Sequence, residues 1–516
     1  MDVEMLTGAI SLVFNPHTLF IIALGAAAGV LVGAIPGLTS TMSIALLIPF
    51  THGMSIIPAI GMLIGIFFGC MYGGSIAAIL INTPGTPAAA ATVLDGYPMT
   101  KKGEPGRALA VALFASICGG MTGALAMTFL SPFISRFALR FGPAELFALA
   151  IFGLSVIISV SGKSIVKGLM VGFFGLLLAT VGMDAVSGYL RFTREISLFE
   201  GIPFIPGLIG LFAITEVFNG IEKIYTTEKV KAKIARVLPS WSDIKAIGRA
   251  VITGSTVGSL IGTVPGVGSD IAAFVSYSEA KRTSKHPEKF GTGTPEGVAA
   301  SESANSSCAC GSMIPMLSLG VPGDSNTAVL MGAFLIHGFQ PGPMMYVEHL
   351  NIVYAVFIAM FLSNIAVFLS GMIGIKFFAK IVSIERKLLL PAILVLSLVG
   401  SFAINRNMFD VFFAIGMGGV GYLLTKYGFP LSPILLALIL GPMSEANLRR
   451  FMMIHDGQFT LIFTRPISVA FFVLAVGTLV SSIINQRRIN RRVEAEEARQ
   501  AAEAAQKEAA AKAETL

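Results

Sequence analysis

Charge is scarce in this chain. Of 516 residues, 13% are Asp, Glu, Lys or Arg and 54% are hydrophobic, where a soluble domain carries about a quarter charged residues. With a mean hydropathy of +0.80, that deficit excludes a water-soluble globular domain. Cysteine is also rare. The four present, Cys70, Cys118, Cys308 and Cys310, sit among apolar or small residues. Cys308-Ala-Cys310 has no companion His or Cys cluster, so it reads as small buried residues and not as a metal site. No basic stretch precedes the first apolar run, so no cleavable signal peptide is expected and that run should stay as a membrane segment. Nucleophile–base constellations and zinc spacings are missing. Gly291-Thr-Gly-Thr-Pro-Glu-Gly297 lacks the Lys and spacing of a phosphate loop, so nucleotide hydrolysis within this chain is not expected. The net charge of +7 lies mostly in loops and tail; it speaks to membrane topology and not to nucleic acid.

What the chain has in quantity is apolar length. Leu19–Ile35, Ala108–Phe133, Ala144–Val160, Ile352–Ile375 and Val469–Ile484 each approach the ~20 residues that cross a bilayer. The expected fold is an all-α integral membrane protein, a polytopic helical bundle. Its 56 glycines and 25 prolines fit that class, because neighbouring helices re-satisfy the backbone groups a break releases. The organisation expected is a first repeat of spans over 1–221, a basic cytoplasmic linker over 222–249, and a second repeat over 250–455. An extra C-terminal span over 456–486 and a charged cytoplasmic tail over 487–516 complete it. Residues 95–107 read as a polar loop, and a polar insertion, 281–296, has no counterpart in the first half.

The repeat is carried by Gly33-Ala-Ile-Pro-Gly37 and Gly262-Thr-Val-Pro-Gly266. Each interrupts an apolar run. A second Pro-Gly follows in each half, Asn82-Thr-Pro-Gly-Thr86 and Gly320-Val-Pro-Gly-Asp-Ser-Asn326, and Gly74-Ser75 recurs as Gly311-Ser312. Such duplication marks secondary transporters. Residues 1–17 carry no Lys or Arg, while the linker and the start of the tail are basic. An outside N-terminus and inside linker require an odd number of crossings per half, which makes the two repeats inverted, with broken or re-entrant helices. Arg449-Arg450 then falls on the outside, against the trend.

A Pro-Gly within a span removes a donor and leaves backbone groups unpaired at membrane depth. These groups must meet protein, water or ligand, and helix N-termini favour anions. The expected substrate and cation site therefore comprises Pro36, Gly37, Thr39, Ser40, Asn82, Thr83, Pro84, Gly85 and Thr86 from the first half. From the second half it takes Pro265, Gly266, Ser269, Asp270, Pro322, Gly323, Asp324, Ser325 and Asn326. Hydroxyls and amides suit carboxylate oxygens; carbonyls and Asp carboxylates suit Na+ or a proton. Glu302 and Asn305 share a helix face among small residues. An ionisable group at membrane depth is a functional candidate, so Glu302 is a candidate for ion coupling; the bland alternative is a helix-edge cap paired with a loop Lys. Asp184 and Glu216 read as interfacial, and His52 and His337 as structural histidines at turns.

Taken together, Gly33–Ser40, Gly262–Ser269, Tyr72–Pro87, Pro295–Asn305 and Leu319–Asp324 resemble the large permease subunit of the tripartite tricarboxylate transporter family. The likeness covers essentially the whole chain except the Ala/Glu-rich tail. It implies a multi-pass bacterial inner-membrane permease, not an enzyme. It further implies a small transmembrane subunit and a periplasmic solute-binding protein as partners, with organic carboxylates taken up on a cation gradient. No cofactor is expected beyond the coupling Na+ or H+. Where family members often continue past Ala304-Asn305 with Asn and Ala, this chain has Ser306, Ser307 and Cys308, which bears on substrate or ion preference. The rival readings are a passive channel and a membrane-embedded enzyme acting on a lipid or peptide.

Overall fold

The computed structural model describes residues 3–160, 164–184, 188–222, 238–381, 386–484 and 486. The first half runs α1 (Val3–Val13), α2 (Pro16–Gly33), α3 (Ser40–Thr51), α4 (Ile56–Ile81) and α5 (Ala90–Lys101). It continues through α6 (Pro105–Ala138), α7 (Pro143–Val160) and α8 (Ile165–Ala179) to a two-residue ladder, β1 (Gly182–Met183) against β2 (Leu190–Arg191). Helix α9 (Phe204–Leu208), a π-helical turn over Ile209–Ile214 and α10 (Thr215–Glu222) then form one continuous segment. Past the linker come α11 (Trp241–Gly262), α12 (Gly268–Thr283), α13 (Pro295–Gly311), α14 (Met313–Leu319) and α15 (Ser325–Ile336). The remainder is α16 (Met345–Glu348), α17 (Leu350–Ile381), α18 (Arg386–Asn405), α19 (Met408–Lys426), α20 (Ser432–Ile454) and α21 (Pro466–Ile484).

This is an all-α polytopic membrane protein. Among the described residues, seven helical segments are long and apolar enough to cross a bilayer. Burial sorts them. The apolar window of α4 is 94% buried and that of α21 only 11%, so α4 is the axis of the bundle and α21 lies at its edge. Large apolar side chains such as Phe129, Phe133 and Ile373 are exposed, which suits lipid as solvent and would be a liability in water.

Two helix pairs form the centre, and glycines set their distance. On α2, a Cβ at Gly25, Gly29 or Gly33 would strike the backbone carbonyl of Met62, Ile66 or Cys70 on α4, at 2.6 Å in the last case. On α11, a Cβ at Gly254, Gly258 or Gly262 would strike the carbonyl of Ala300, Ala304 or Cys308 on α13, at 2.8 Å in the last. Small residues four apart let membrane helices pack backbone to backbone. The same pairing thus recurs in both halves. It also corrects the register expected from sequence by one residue: Gly85 packs on Gly74 and Gly323 packs on Ser312, so Gly74 corresponds to Ser312 and not to Gly311. The Gly-Ser dipeptides match as letters, but the packing follows the carbonyl contacts.

Both glycine rows end where their helices break. After Gly33 the chain passes Pro36 and Gly37 (φ +89°) before restarting as α3, whose N-cap Thr39 accepts from the Met42 amide at 3.2 Å. After Gly262 it passes Pro265, Gly266 (φ +86°) and Gly268 (φ +78°) and restarts as α12. Further breaks follow at Asn82, which caps α4 in the left-handed region, and at Gly320–Asp324, between α14 and α15.

Residues 95–101 depart from the loop expected for 95–107: they belong to α5. Asp95 is fully buried. Its Oδ1 accepts from the amides of Gly291 (3.0 Å), Gly293 (2.7 Å) and Thr294 (2.9 Å), and its Oδ2 from the Tyr277 hydroxyl (2.8 Å). Asp95 is therefore internal, satisfied by amides of the 281–296 insertion and by Tyr277, while Lys101 is exposed; composition could not distinguish the two. Much of the linker, 223–237, and the tail, 487–516, lie outside the described residues.

Candidate functional site

The break regions meet around a cavity of about 520 Å³. Three helices of twelve or more residues begin at its wall: α3 at Ser40, α12 at Gly268 and α15 at Ser325. The turn Pro87–Ala89 that leads into α5 adds Thr86, Pro87 and Ala88. The first amides of each helix have no partner inside the helix, so the wall presents a concentration of donors. Its acceptors come from the second half, where Asp270 and Asp324 line the cavity. Among the described residues no Lys, Arg or His lines it.

The two halves are stitched across the cavity by one amide. Ser40 Oγ and Thr41 Oγ1 both donate to Asn326 Oδ1, at 2.8 and 2.7 Å, and Asn326 Nδ2 donates to Asp324 Oδ2 at 3.2 Å. Asp324 is itself the N-cap of α15: its Oδ1 accepts from the Thr327 amide and hydroxyl, each at 2.8 Å. Ser325 Oγ donates to Ser432 Oγ at 2.7 Å. Thr86 Oγ1 is buried and has no hydrogen-bond partner, and Ser269 Oγ has only the Cys308 thiol beside it. Buried hydroxyls are normally satisfied, which makes the unpartnered Thr86 Oγ1 an exception at this wall.

Of the residues expected at the site, the cavity brings together Thr39, Ser40, Thr86, Gly266, Ser269, Asp270, Asp324, Ser325 and Asn326. Pro36, Gly37, Pro265, Pro322, Gly323 and Gly85 form the backbone behind it: the Gly266 amide donates to the Gly323 carbonyl at 2.6 Å, and the Gly85 amide to the Gly74 carbonyl at 3.1 Å. Asn82 and Thr83 are exposed and Pro84 is half-buried; none lines the cavity. Thr41, Met71, Phe212 and Ser432 line it without having been singled out. Thr41 stood within the first motif and was legible. Phe212 follows Pro206-Gly207, a pair outside the four singled out, and Ser432 opens α20; only the packing of the π-helical turn and of α20 brings them in.

Glu302 and Asn305 stand behind this wall. Glu302 is fully buried in the middle of α13. Its carboxylate accepts from Ser75 on α4 (2.5 Å), Ser116 on α6 (3.1 Å) and Thr92 on α5. Its partners are thus three hydroxyls from three helices, and not a loop Lys. Asn305 Nδ2 reaches the carbonyl of Met71 at 3.4 Å, one turn before Ser75, while its Oδ1 is unpartnered. His337 faces the carbonyls of Ala333 and Thr51, tying α15 to α3. Cys70, Cys308 and Cys310 are buried and Cys118 half-buried.

A polytopic bundle whose central helix breaks enclose a polar cavity is the build of a membrane transport protein. The chain belongs to the tripartite tricarboxylate transporter TctA family, whose model matches residues 19–436. It is 38% identical over 468 residues to an uncharacterized 52.8 kDa protein of the TAR-I ttuC' 3' region of Agrobacterium vitis, covering 90% of this chain and 93% of that one. It is 36% identical over 234 residues to an uncharacterized protein of the TAR-II ttuC' 3' region of the same organism, covering 45% of this chain and 97% of the relative. No solved structure matches. Family membership makes the chain a membrane permease.

Proposed function

We propose that this permease is the large membrane subunit of a secondary transporter that imports organic carboxylates, of the tricarboxylate or dicarboxylate type, on a gradient of Na+ or H+. It works in the bacterial inner membrane with a small transmembrane subunit and a periplasmic binding protein that delivers the substrate. The observation that carries this reading is the cavity itself: helix N-termini and hydroxyls suited to carboxylate oxygens face carboxylates suited to a cation. Alternating access moves one region of two inverted repeats past the other, and the recurring glycine contacts support the duplication it needs. Arg449, on the expected outer side, is paired with Asp184 at 2.7 Å and Glu445 at 2.8 Å.

Uptake by proteoliposomes holding this chain, its small partner and the binding protein tests the proposal. Saturable carboxylate accumulation that collapses with the imposed cation gradient is expected. Non-saturable flux would favour a channel, and a chemically altered substrate without accumulation would favour an enzyme; either outcome refutes the proposal.

A further inference from the structure

The cavity is built from a repeat, yet its two halves do not carry the same chemistry. The shift that carries Gly33 onto Gly262 also carries Pro36 onto Pro265, Gly37 onto Gly266 and Thr41 onto Asp270. The shift that carries Cys70 onto Cys308 carries Gly85 onto Gly323 and Thr86 onto Asp324. The packing supports both registers, since the same glycine-to-carbonyl contacts recur at Cys70 and Cys308 and the Gly85–Gly74 contact recurs as Gly323–Ser312. At two of the equivalent positions that line the cavity, Thr41/Asp270 and Thr86/Asp324, the first half has Thr and the second has Asp, while Ser40 and Ser269 keep the same hydroxyl in both.

The helix ends follow the same division. The N-terminus of α12 carries its own carboxylate, Asp270, in the first turn, and that of α15 is capped by Asp324. Each resident carboxylate offsets the partial positive charge of its helix end. The N-terminus of α3 carries no acid; Thr39, Ser40 and Thr41 occupy it. The unpartnered hydroxyl of Thr86, 2% exposed, lies on the same half. An anion placed in the cavity is therefore attracted at one wall and repelled at the other, and no basic side chain lines the cavity to offset the two acids.

We propose that the site is divided by repeat: the first half, through the α3 N-terminus, Thr41 and Thr86, holds the substrate carboxylate, and the second half, through Asp270 and Asp324, holds the coupling cation. This rests on the permease reading above and deepens it. The cation neutralises the acidic wall, so the carboxylate binds after it or together with it, and tight anion binding without a cation is forbidden by charge. Asn326 joins the two subsites, because its Oδ1 accepts from Ser40 and Thr41 while its Nδ2 donates to Asp324. A cation drawing on Asp324 Oδ2 would release that amide and with it the two hydroxyls that the anion needs.

The test uses the full chain in detergent, with thermal unfolding read against Na+ at constant ionic strength held by choline, against pH without Na+, and then against citrate. The Na+ and pH series separate the two sources of positive charge. Wild-type protein is expected to be stabilised saturably by one of them, and by citrate only when that cation is present. Asp270→Asn and Asp324→Asn should raise the half-saturating cation concentration about tenfold or more, the ratio equivalent to ~1.4 kcal/mol. Asn keeps the N-cap at position 324, and Asp270→Asn gives an independent reading should that cap fail. Thr41→Val and Thr86→Val should leave the cation response within about twofold and weaken the citrate response about tenfold. The division is overturned if the Asp variants keep the wild-type cation response, or if the Thr variants lose it. A wild-type chain that responds to neither cation nor to citrate overturns the permease reading as well.

Discussion

Glu302 is a carboxylate surrounded by hydroxyls. Ser75, Thr92 and Ser116 can each rotate to donate to a carboxylate or to accept from an amide. Glu302→Gln should therefore fold, with a small shift in thermal unfolding. Glu302→Ala leaves three buried hydroxyls without an acceptor and should cost about 1–3 kcal/mol for each one that finds no new partner. In transport, Glu302→Gln is expected to weaken the cation dependence of uptake more than it weakens assembly; an unchanged dependence removes Glu302 from the coupling mechanism. The connection runs through α4: Ser75 lies one turn from Met71, which lines the cavity and whose carbonyl faces Asn305. Sequence gave reason to single out Glu302, because an acid amid small residues is conspicuous. Its three partners come from distant segments and were not legible.

Helix α11 holds its own control for the packing argument. A Cβ at Gly258 meets the Ala304 carbonyl, whereas one at Gly248 meets nothing within 4 Å. Gly258→Ala should thus cost about 1–3 kcal/mol through overpacking, while Gly248→Ala should be neutral or stabilise by up to ~1 kcal/mol. Thermal unfolding of the purified variants reads both. Equal effects would mean that α11 and α13 do not approach as closely as described. Helix α5 makes one of the contacts between halves. Replacing Asp95 by Ala strips three amides and the Tyr277 hydroxyl of their acceptor. The 284–294 segment should then become sensitive to limited proteolysis, and Asp95→Asn, which keeps an acceptor oxygen, should be cut more slowly than Asp95→Ala. The glycine rows were readable as a four-residue spacing ahead of each Pro-Gly. The Asp95 contact was not, since it joins an acid to backbone amides nearly two hundred positions away, and amides carry no signature in the letters.

Across the molecule, the direction of the chain in the membrane rests on charge. The four native cysteines are buried or half-buried, so added surface cysteines can report on topology. With an outside N-terminus and an inside linker, Thr7→Cys should react with an impermeant maleimide from the periplasmic side and Ser242→Cys only after the membrane is opened. Labelling of both from one side would end the inverted arrangement of the repeats. The cluster of Asp184, Arg191, Glu445 and Arg449 belongs to the same question. Arg191 reaches Glu445 at 2.6 Å, and Arg449 reaches both acids, so two cations face two anions. These pairs satisfy the arginines in the folded protein but leave Arg449-Arg450 as a count against the expected topology, since the positive-inside tendency is set by Lys and Arg and acids contribute little to it.

The amino-acid order alone determined the class and the breaks, and most of the spans, although Ala144–Val160 falls in α7, which is not among the seven span-length helices. Apolar length requires lipid, and a Pro-Gly inside it requires a helix end, whatever surrounds it. It also placed the hydroxyls and acids beside those ends, since they are neighbours along the chain. Only the tertiary structure decided which of them share a cavity. Asn82 and Thr83 sit next to a break yet are exposed, while Phe212 in the π-helical turn and Ser432 at the start of α20, outside the paired motifs, line the wall. The reason is physical: a break fixes where donors become free, but helix packing fixes where they point. The backbone contacts that glycines allow between α2 and α4, and between α11 and α13, order each half. The close approach of Gly119 and Gly123 on α6 to Ser303 and Ser307 on α13, with Ser40 and Thr41 bonded to Asn326, brings the two halves' break regions to one place.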